Sequence, residues 1–328
     1  MPAAPAPKSH FSCYFDAVKE NTAKYGEKTV ILTMTGTFYE IYALRDDVTE
    51  EITGFKYIYD VIKLTHLNAA EKHTLEFPHK TILQLGFRDY IIDKYLAIFN
   101  EAGWTACLYE QYEVDGQKHM ERRLDRVFSP GTSFYTSEKS ITNNIMCIWM
   151  KRTLMTTVNK SERCVFGMSS LDIYTGKCVI HEYDVQKYKH QTTSYDELDR
   201  FYSVFRPNEV IFIYDGMTDD AVSDIIKYLN IGVSTRRIQL DSDEILSNNV
   251  RKCERQVYRE EIMRTYYEFV DYHEFCDSSM LNMYEFAFQS LCYLLAFTSE
   301  HNENLTKHVK NPVLFADTKH VILANHSL

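Results

Sequence analysis

Residues 29–42, Thr-Val-Ile-Leu-Thr-Met-Thr-Gly-Thr-Phe-Tyr-Glu-Ile-Tyr, restrict the fold more than any other stretch of this chain. The first half is β-branched and apolar, which predicts a buried strand. Gly36-Thr37 interrupts it, and a second extended run follows. Side chains alternate along a strand, so Phe38, Glu40 and Tyr42 share one face while Tyr39 and Ile41 take the other. An aromatic ring and a carboxylate thus project side by side just past a glycine turn. An apolar core has no use for Glu40 beside Phe38; a surface that meets a stacked, hydrogen-bonding partner does. The bland alternative makes Phe38 an ordinary core ring and Glu40 a solvated edge charge.

Charge narrows the choice of partner. The 328 residues carry a formal net charge of −10, whereas non-specific nucleic-acid binding rests on Lys and Arg neutralising phosphates. Any nucleic-acid contact must therefore be local. Lys28, Lys80 and Arg88 are the candidate phosphate contacts near the triplet, with ordinary solubilising roles as the alternative. The eight cysteines show no C-x-x-C pair or zinc spacing and are expected to be reduced thiols of an intracellular protein. His273/Cys276 and His301/His308 lack metal-site spacing, and Thr175-Gly176-Lys177-Cys178 is a turn rather than a phosphate-binding loop. The greasiest run, 286–297, contains Gln289 and Ser290 and is too short to span a bilayer. A soluble protein without a membrane partner is expected, and the cellular compartment is left open.

Along the chain, residues 1–10 are expected to be a flexible tail, followed by a helix with Ser12 as N-cap and Gly26 as its stop. Strands are predicted at 29–34, 82–86 and 104–111, and helices at 57–67 and 89–103, the last ended by Gly103. Pro130-Gly131 continues neither kind of element and marks a boundary, with a polar linker over 133–143. Strand, hairpin, helix, strand and helix follow, at 144–150, 164–183, 195–205, 209–214 and 219–229. The chain turns helical again from 282. The fold class expected is α/β with mixed sheets.

Ordered along most of the chain are residues that resemble the MutS family of DNA mismatch-repair proteins, in the branch found in large DNA viruses. Phe38-Tyr39-Glu40 stands for the family's Phe-x-Glu triplet. Gly86-Phe87, without the usual proline, stands for its Gly-Val-Pro-like turn. Residues 103–111 match its glycine, strand and Glu-Gln, and 122–132 its Arg-rich strand ending in Thr-Pro-Gly-Thr, with Ser129 replacing the first threonine. Residues 166–176 and 205–210 resemble its connector domain. The resemblance implies a mismatch-recognition domain over 11–133, an RNase H-like connector over 134–281 and the start of a helical lever domain over 282–328. It further implies double-stranded DNA with a mismatch or small loop as partner, a MutS-type dimer partner and a MutL-type protein. No cofactor is expected in this chain, the family's ATP and Mg²⁺ belonging to an ATPase domain beyond it.

Under that resemblance Phe38, supported by Gly36, wedges into the duplex at a mispaired or unpaired base. Glu40 takes up a proton among the phosphates and donates to an extruded ring nitrogen. Two alternatives stay open: an RNase H-like metal-dependent nuclease using Asp172 or Asp215, or a non-catalytic protein-interaction module derived from a MutS protein. The first strand of the RNase H-like part, 144–150, carries no acid, which weighs against catalysis.

Overall fold

The computed structural model describes residues 9–113, 120–132, 142–154, 162–186, 192–232, 234–241, 245–301 and 308–315. In the first part, α1 (His10–Tyr25) precedes β1 (Thr29–Thr35), β2 (Phe38–Asp46), β3 (Ile52–Thr53), α2 (Ile58–Thr65), β4 (Ala70–His73), β5 (Lys80–Arg88), α3 (Ile92–Glu101), β6 (Thr105–Glu113) and β7 (Met120–Phe128). The strands form one sheet in the order β4-β5-β2-β1-β6-β7, with β3 on β2. β1 and β6 run parallel, and β1 with β2 antiparallel. Thr35 pairs with Phe38, which leaves Gly36-Thr37 as a two-residue loop. Gly36 sits at φ 62°, the left-handed value that the first position of a II′ hairpin turn demands and that glycine adopts without strain.

Helices cover both faces of this sheet. α1 packs on the side of Tyr42, whose ring meets the edges of Phe11 and Tyr14 at 5.1 and 5.0 Å. On the opposite side Tyr95 of α3 stacks on Phe87 at 4.1 Å, beside Tyr39. The cap of α1 is one turn earlier than predicted. Ser9 has extended backbone and its Oγ accepts from Ser12 N–H at 3.1 Å, so Ser12 lies inside the helix. Gly26 and Gly103 stop their helices as expected, both at positive φ. After β7 the Ser-Pro-Gly-Thr segment closes on itself, Thr132 N–H donating to Ser129 O at 3.1 Å. The tail over 1–8 and the linker over 133–141 lie outside the described residues.

The second part contains β8 (Asn144–Leu154), β9 (Glu162–Asp172), β10 (Cys178–Val185), α4 (Asp196–Phe205), β11 (Glu209–Asp215), α5 (Asp219–Tyr228) and β12 (Ser234–Gln239). Then come α6 (Ile245–Arg251), α7 (Gln256–Tyr266), α8 (Tyr272–Ser278), α9 (Glu285–His301) and β13 (Val313–Leu314). Its sheet has the order β12-β11-β8-β9-β10-β13 and is also mixed. Alternate residues of β8 feed two cores: Ile145, Cys147 and Trp149 pack with α6 to α9, and Met146, Ile148 and Met150 pack with α4 and α5. The protein is thus mixed α/β, and its chain divides into two compact units, residues 1–139 and 140–328.

α9, which opens the segment from residue 282, packs on the second sheet. This helix is apolar nearly all round, so it is buried rather than projecting. It lies across β8 and β9, where Ser290 Oγ reaches both Cys147 O and Ser169 Oγ at 2.8 Å. Gly167 permits the approach, since a Cβ there would stand 2.1 Å from the Phe286 carbonyl carbon. Glu182 on β10 accepts from the Phe286 and Ala287 N–H groups at 2.8 and 3.0 Å, occupying donors that a helix start leaves free. β13 then pairs with β10 in the same sheet. Residues 316–328 lie outside the described ones. Among the described residues no helix is long and apolar enough to cross a membrane. All eight cysteines are free, seven of them buried and Cys13 exposed.

Candidate nucleic-acid interface

The β1–β2 hairpin holds Phe38 at its tip with the ring 38% exposed. Its cross-strand neighbour on the other side is Arg88, whose guanidinium stands 5.5 Å from the ring centroid. That is a cation–π arrangement. Asp89 N–H donates to Thr37 O at 3.0 Å and fastens the end of β5 to the hairpin loop. Tyr90 follows, 76% exposed. The tip therefore presents two accessible aromatic rings and a guanidinium.

Glu40, Tyr42 and Phe38 share a face, as alternation requires, and Glu40 is half-buried. Its carboxylate accepts from the Tyr42 hydroxyl on one oxygen and from the Gln84 amide on the other. Gly86 stands opposite Glu40 on β5. His10 Nε2 lies 3.0 Å from Tyr42 Oη and extends the chain of polar contacts to the start of α1. Burial, with Arg122 and Lys72 nearby, pulls His10 down to about 4, so the imidazole is neutral at pH 7. Burial and the Glu40 carboxylate push the Tyr42 phenol up, which keeps it a donor. Arg122 reaches across from β7 and donates from Nε to Met34 O at 2.9 Å. Burial pulls its guanidinium below the usual arginine range. A cavity of about 250 Å³ opens beside it, between α1, β1 and the start of β7.

The basic residues picked from sequence are not all here. Arg88 is at the tip, but Lys80 pairs with Asp46 at the far end of β2 and Lys28 precedes β1. Lys80's partner is eight positions along β2 from Phe38, roughly 26 Å at a strand's rise. Sequence reasoning missed Arg122, His10, Gln84 and Tyr90. For Arg122 the obstacle is a register shift between Leu108 and Tyr109 in the β6–β7 pairing, which breaks the alternation that would have assigned its face.

Asp172 and Asp215 do not come together. Asp172 pairs with Asn144 and Asp215 with Lys151, seven residues along β8, roughly 23 Å apart. Asp172 caps its turn, accepting from Asn143 and Tyr174 N–H groups and the Thr175 hydroxyl. Asp215 pairs with Lys151 at 2.9 Å. Among the described residues no group of three or more His, Cys, Asp or Glu side chains is arranged to hold a metal ion.

No family model matches the chain. Over 97% of its length it is 24% identical to a protein of Acanthamoeba polyphaga mimivirus named as a DNA mismatch repair mutS homologue, aligning with 29% of that protein. It is also 23% identical, over 36% of its length, to a mitochondrial DNA mismatch repair mutS homologue of Sarcophyton glaucum, of which 13% is covered. The chain therefore spans less than a third of the length of these curated relatives. Among solved structures, a Fowlpox virus resolvase in complex with Holliday junction DNA aligns with 46% of this chain and 97% of its own, at 15% identity and a TM-score of 0.26. A score that low carries no argument about fold.

Proposed function

We propose that the chain, similar along almost its whole length to a MutS mismatch-repair homologue, recognises mispaired or unpaired bases in duplex DNA by inserting Phe38 from the minor groove. The observation that carries this reading is the exposure of the Phe38 ring at the tip of a two-residue hairpin.

The energetics explain why such a wedge discriminates. Unstacking a base step costs roughly a few kcal/mol, and bending the duplex adds about 1–6 kcal/mol. Stacking on an aromatic ring returns about 1–3 kcal/mol. Insertion is unfavourable at a normal step and becomes tolerable where pairing is already lost and the duplex kinks easily. Selectivity then comes from deformability, without a base code. Arg88 supports the same reading, since a guanidinium resting on the ring is free to turn towards a phosphate as a base takes its place. Glu40 acts beside the wedge. In the unliganded protein each of its oxygens accepts one hydrogen bond, which holds the carboxylate beside the ring where an extruded base would lie.

By the same reading the first unit is the mismatch-recognition domain and the second an RNase H-like connector. The second assignment is supported by a sheet in which β8, β9 and β10 are successive antiparallel neighbours while β11 and β12 extend it in parallel on the other side of β8. ATP and Mg²⁺, a MutS-type dimer partner and a MutL-type protein enter through other parts of a longer assembly. The test is fluorescence anisotropy on G·T, unpaired-T and perfect duplexes at low salt. Wild type prefers the two defective duplexes, Phe38→Ala removes that preference, and Glu40→Gln keeps part of it. Equal binding of all three duplexes by wild type, or an unchanged preference in Phe38→Ala, sinks the wedge.

A further inference from the structure

Arg122 is the one feature near the hairpin that the wedge does not explain. It is half-buried, and among the described residues no carboxylate lies within ion-pair distance of it. The Glu40 carboxylate favours its charge from nearby without bonding to it; Glu40 accepts from Tyr42 and Gln84, and Glu121 pairs with Arg123 at 2.6 Å. Arg122's Nε is fixed on Met34 O, next to Thr35, the cross-strand partner of Phe38. Arg122 lines a cavity of about 250 Å³ together with His10, Cys13, Thr33, Tyr109 and Glu121.

We propose that Arg122, with Thr33 and His10 beside it, forms a phosphate-binding subsite in this cavity. The guanidinium supplies a fork of donors to a phosphate oxygen pair, the geometry in which arginine outperforms lysine. The subsite occupies the face of the sheet that carries Phe38 and Glu40. Resting on the mismatch-recognition reading, the phosphate is that of a nucleotide flanking the wedge; the same chemistry would also capture free inorganic phosphate.

Cys13 supplies a probe that needs no DNA preference. It lines the cavity and is the exposed cysteine, the other seven being buried. Its alkylation by a neutral maleimide is followed in the 328-residue protein alone, with inorganic phosphate, and with a perfectly paired duplex. Occupancy slows the reaction severalfold, and Arg122→Gln removes that protection while Arg122→Lys keeps part of it. On the duplex, Arg122→Gln also lowers the slope of log affinity against log salt by about one. Protection by duplex alone assigns the subsite to the DNA backbone, and protection by inorganic phosphate as well makes it a general phosphate site. No protection of wild type by either, or equal protection of Arg122→Gln, overturns the proposal. Should Arg122→Gln fail to fold, the wild-type result decides. Phe38→Ala separates the two ideas: it loses mismatch preference and keeps Cys13 protection, so each claim can fail without the other.

Discussion

The two sheets of this protein are built from similar strands and used differently. In the second unit both faces of β8 are sealed by helices, and three polar side chains that reach the sheet hold its elements together. Asp172 caps a turn, Ser290 ties α9 to β8, and Glu182 holds the start of α9. In the first unit the same kind of sheet ends in a hairpin whose tip leaves Phe38 and Tyr90 exposed, and whose carboxylate is held half-buried by Tyr42 and Gln84. A sheet closed on both faces serves as scaffold. One left open at a hairpin end can present a ring and its polar neighbours to another molecule, at little cost to its core.

That contrast can be broken by substitution. The largest effect is expected at Gly167, where a side chain would meet the backbone of Phe286 and Ala287. Gly167→Val should destabilise the second unit by about 3 kcal/mol or more, because neither backbone segment can yield. Denaturant unfolding would check this, with the transition of the first unit unmoved. Glu182→Ala comes next: losing the acceptor of two helix N–H groups should cost about 2 kcal/mol, and Glu182→Gln should restore most of it. An equal loss in both variants would show that the carboxylate charge matters rather than the hydrogen bonds.

A smaller effect is expected in the first unit, from pH. His10 is pulled from 6.5 to about 4 in the folded protein, so between those values the unfolded chain binds the proton that the folded one refuses. The stability this contributes is fully present above about pH 6.5 and is lost as pH falls towards 4. Thermal unfolding across that range should show the first unit weakening, and His10→Gln should flatten that part of the profile. The smallest change is expected at the wedge itself. Phe38→Ala should alter stability by no more than about 0.5 kcal/mol, as for an exposed position outside the core. A loss of several times that would place the ring in the core after all and close the gap between the two sheets.

Much of this architecture could be read from sequence. The strands of the first hairpin, the glycine stops at Gly26 and Gly103, and the paired faces of Phe38 and Glu40 follow from local periodicity and turn chemistry, which act over a few residues. How far Lys28 and Lys80 lie from Phe38 depends on strand pairing, which the order of residues does not display. Ser12 was taken for a cap because two serines stand near the helix start, and only the backbone angles at Ser9 separate them. The apolar surface of α9 announces burial without saying against what.

The sequence by itself determined that a hairpin would set an aromatic ring and a carboxylate on one face, since β-alternation and a glycine turn are local and allow little else. Only the tertiary structure decided that the ring is accessible, that Gln84 joins Tyr42 in holding Glu40, and that Arg122 lines a cavity beside α1. Those relations bring together residues dozens of positions apart, through strand pairings and a register shift that the order of amino acids does not display.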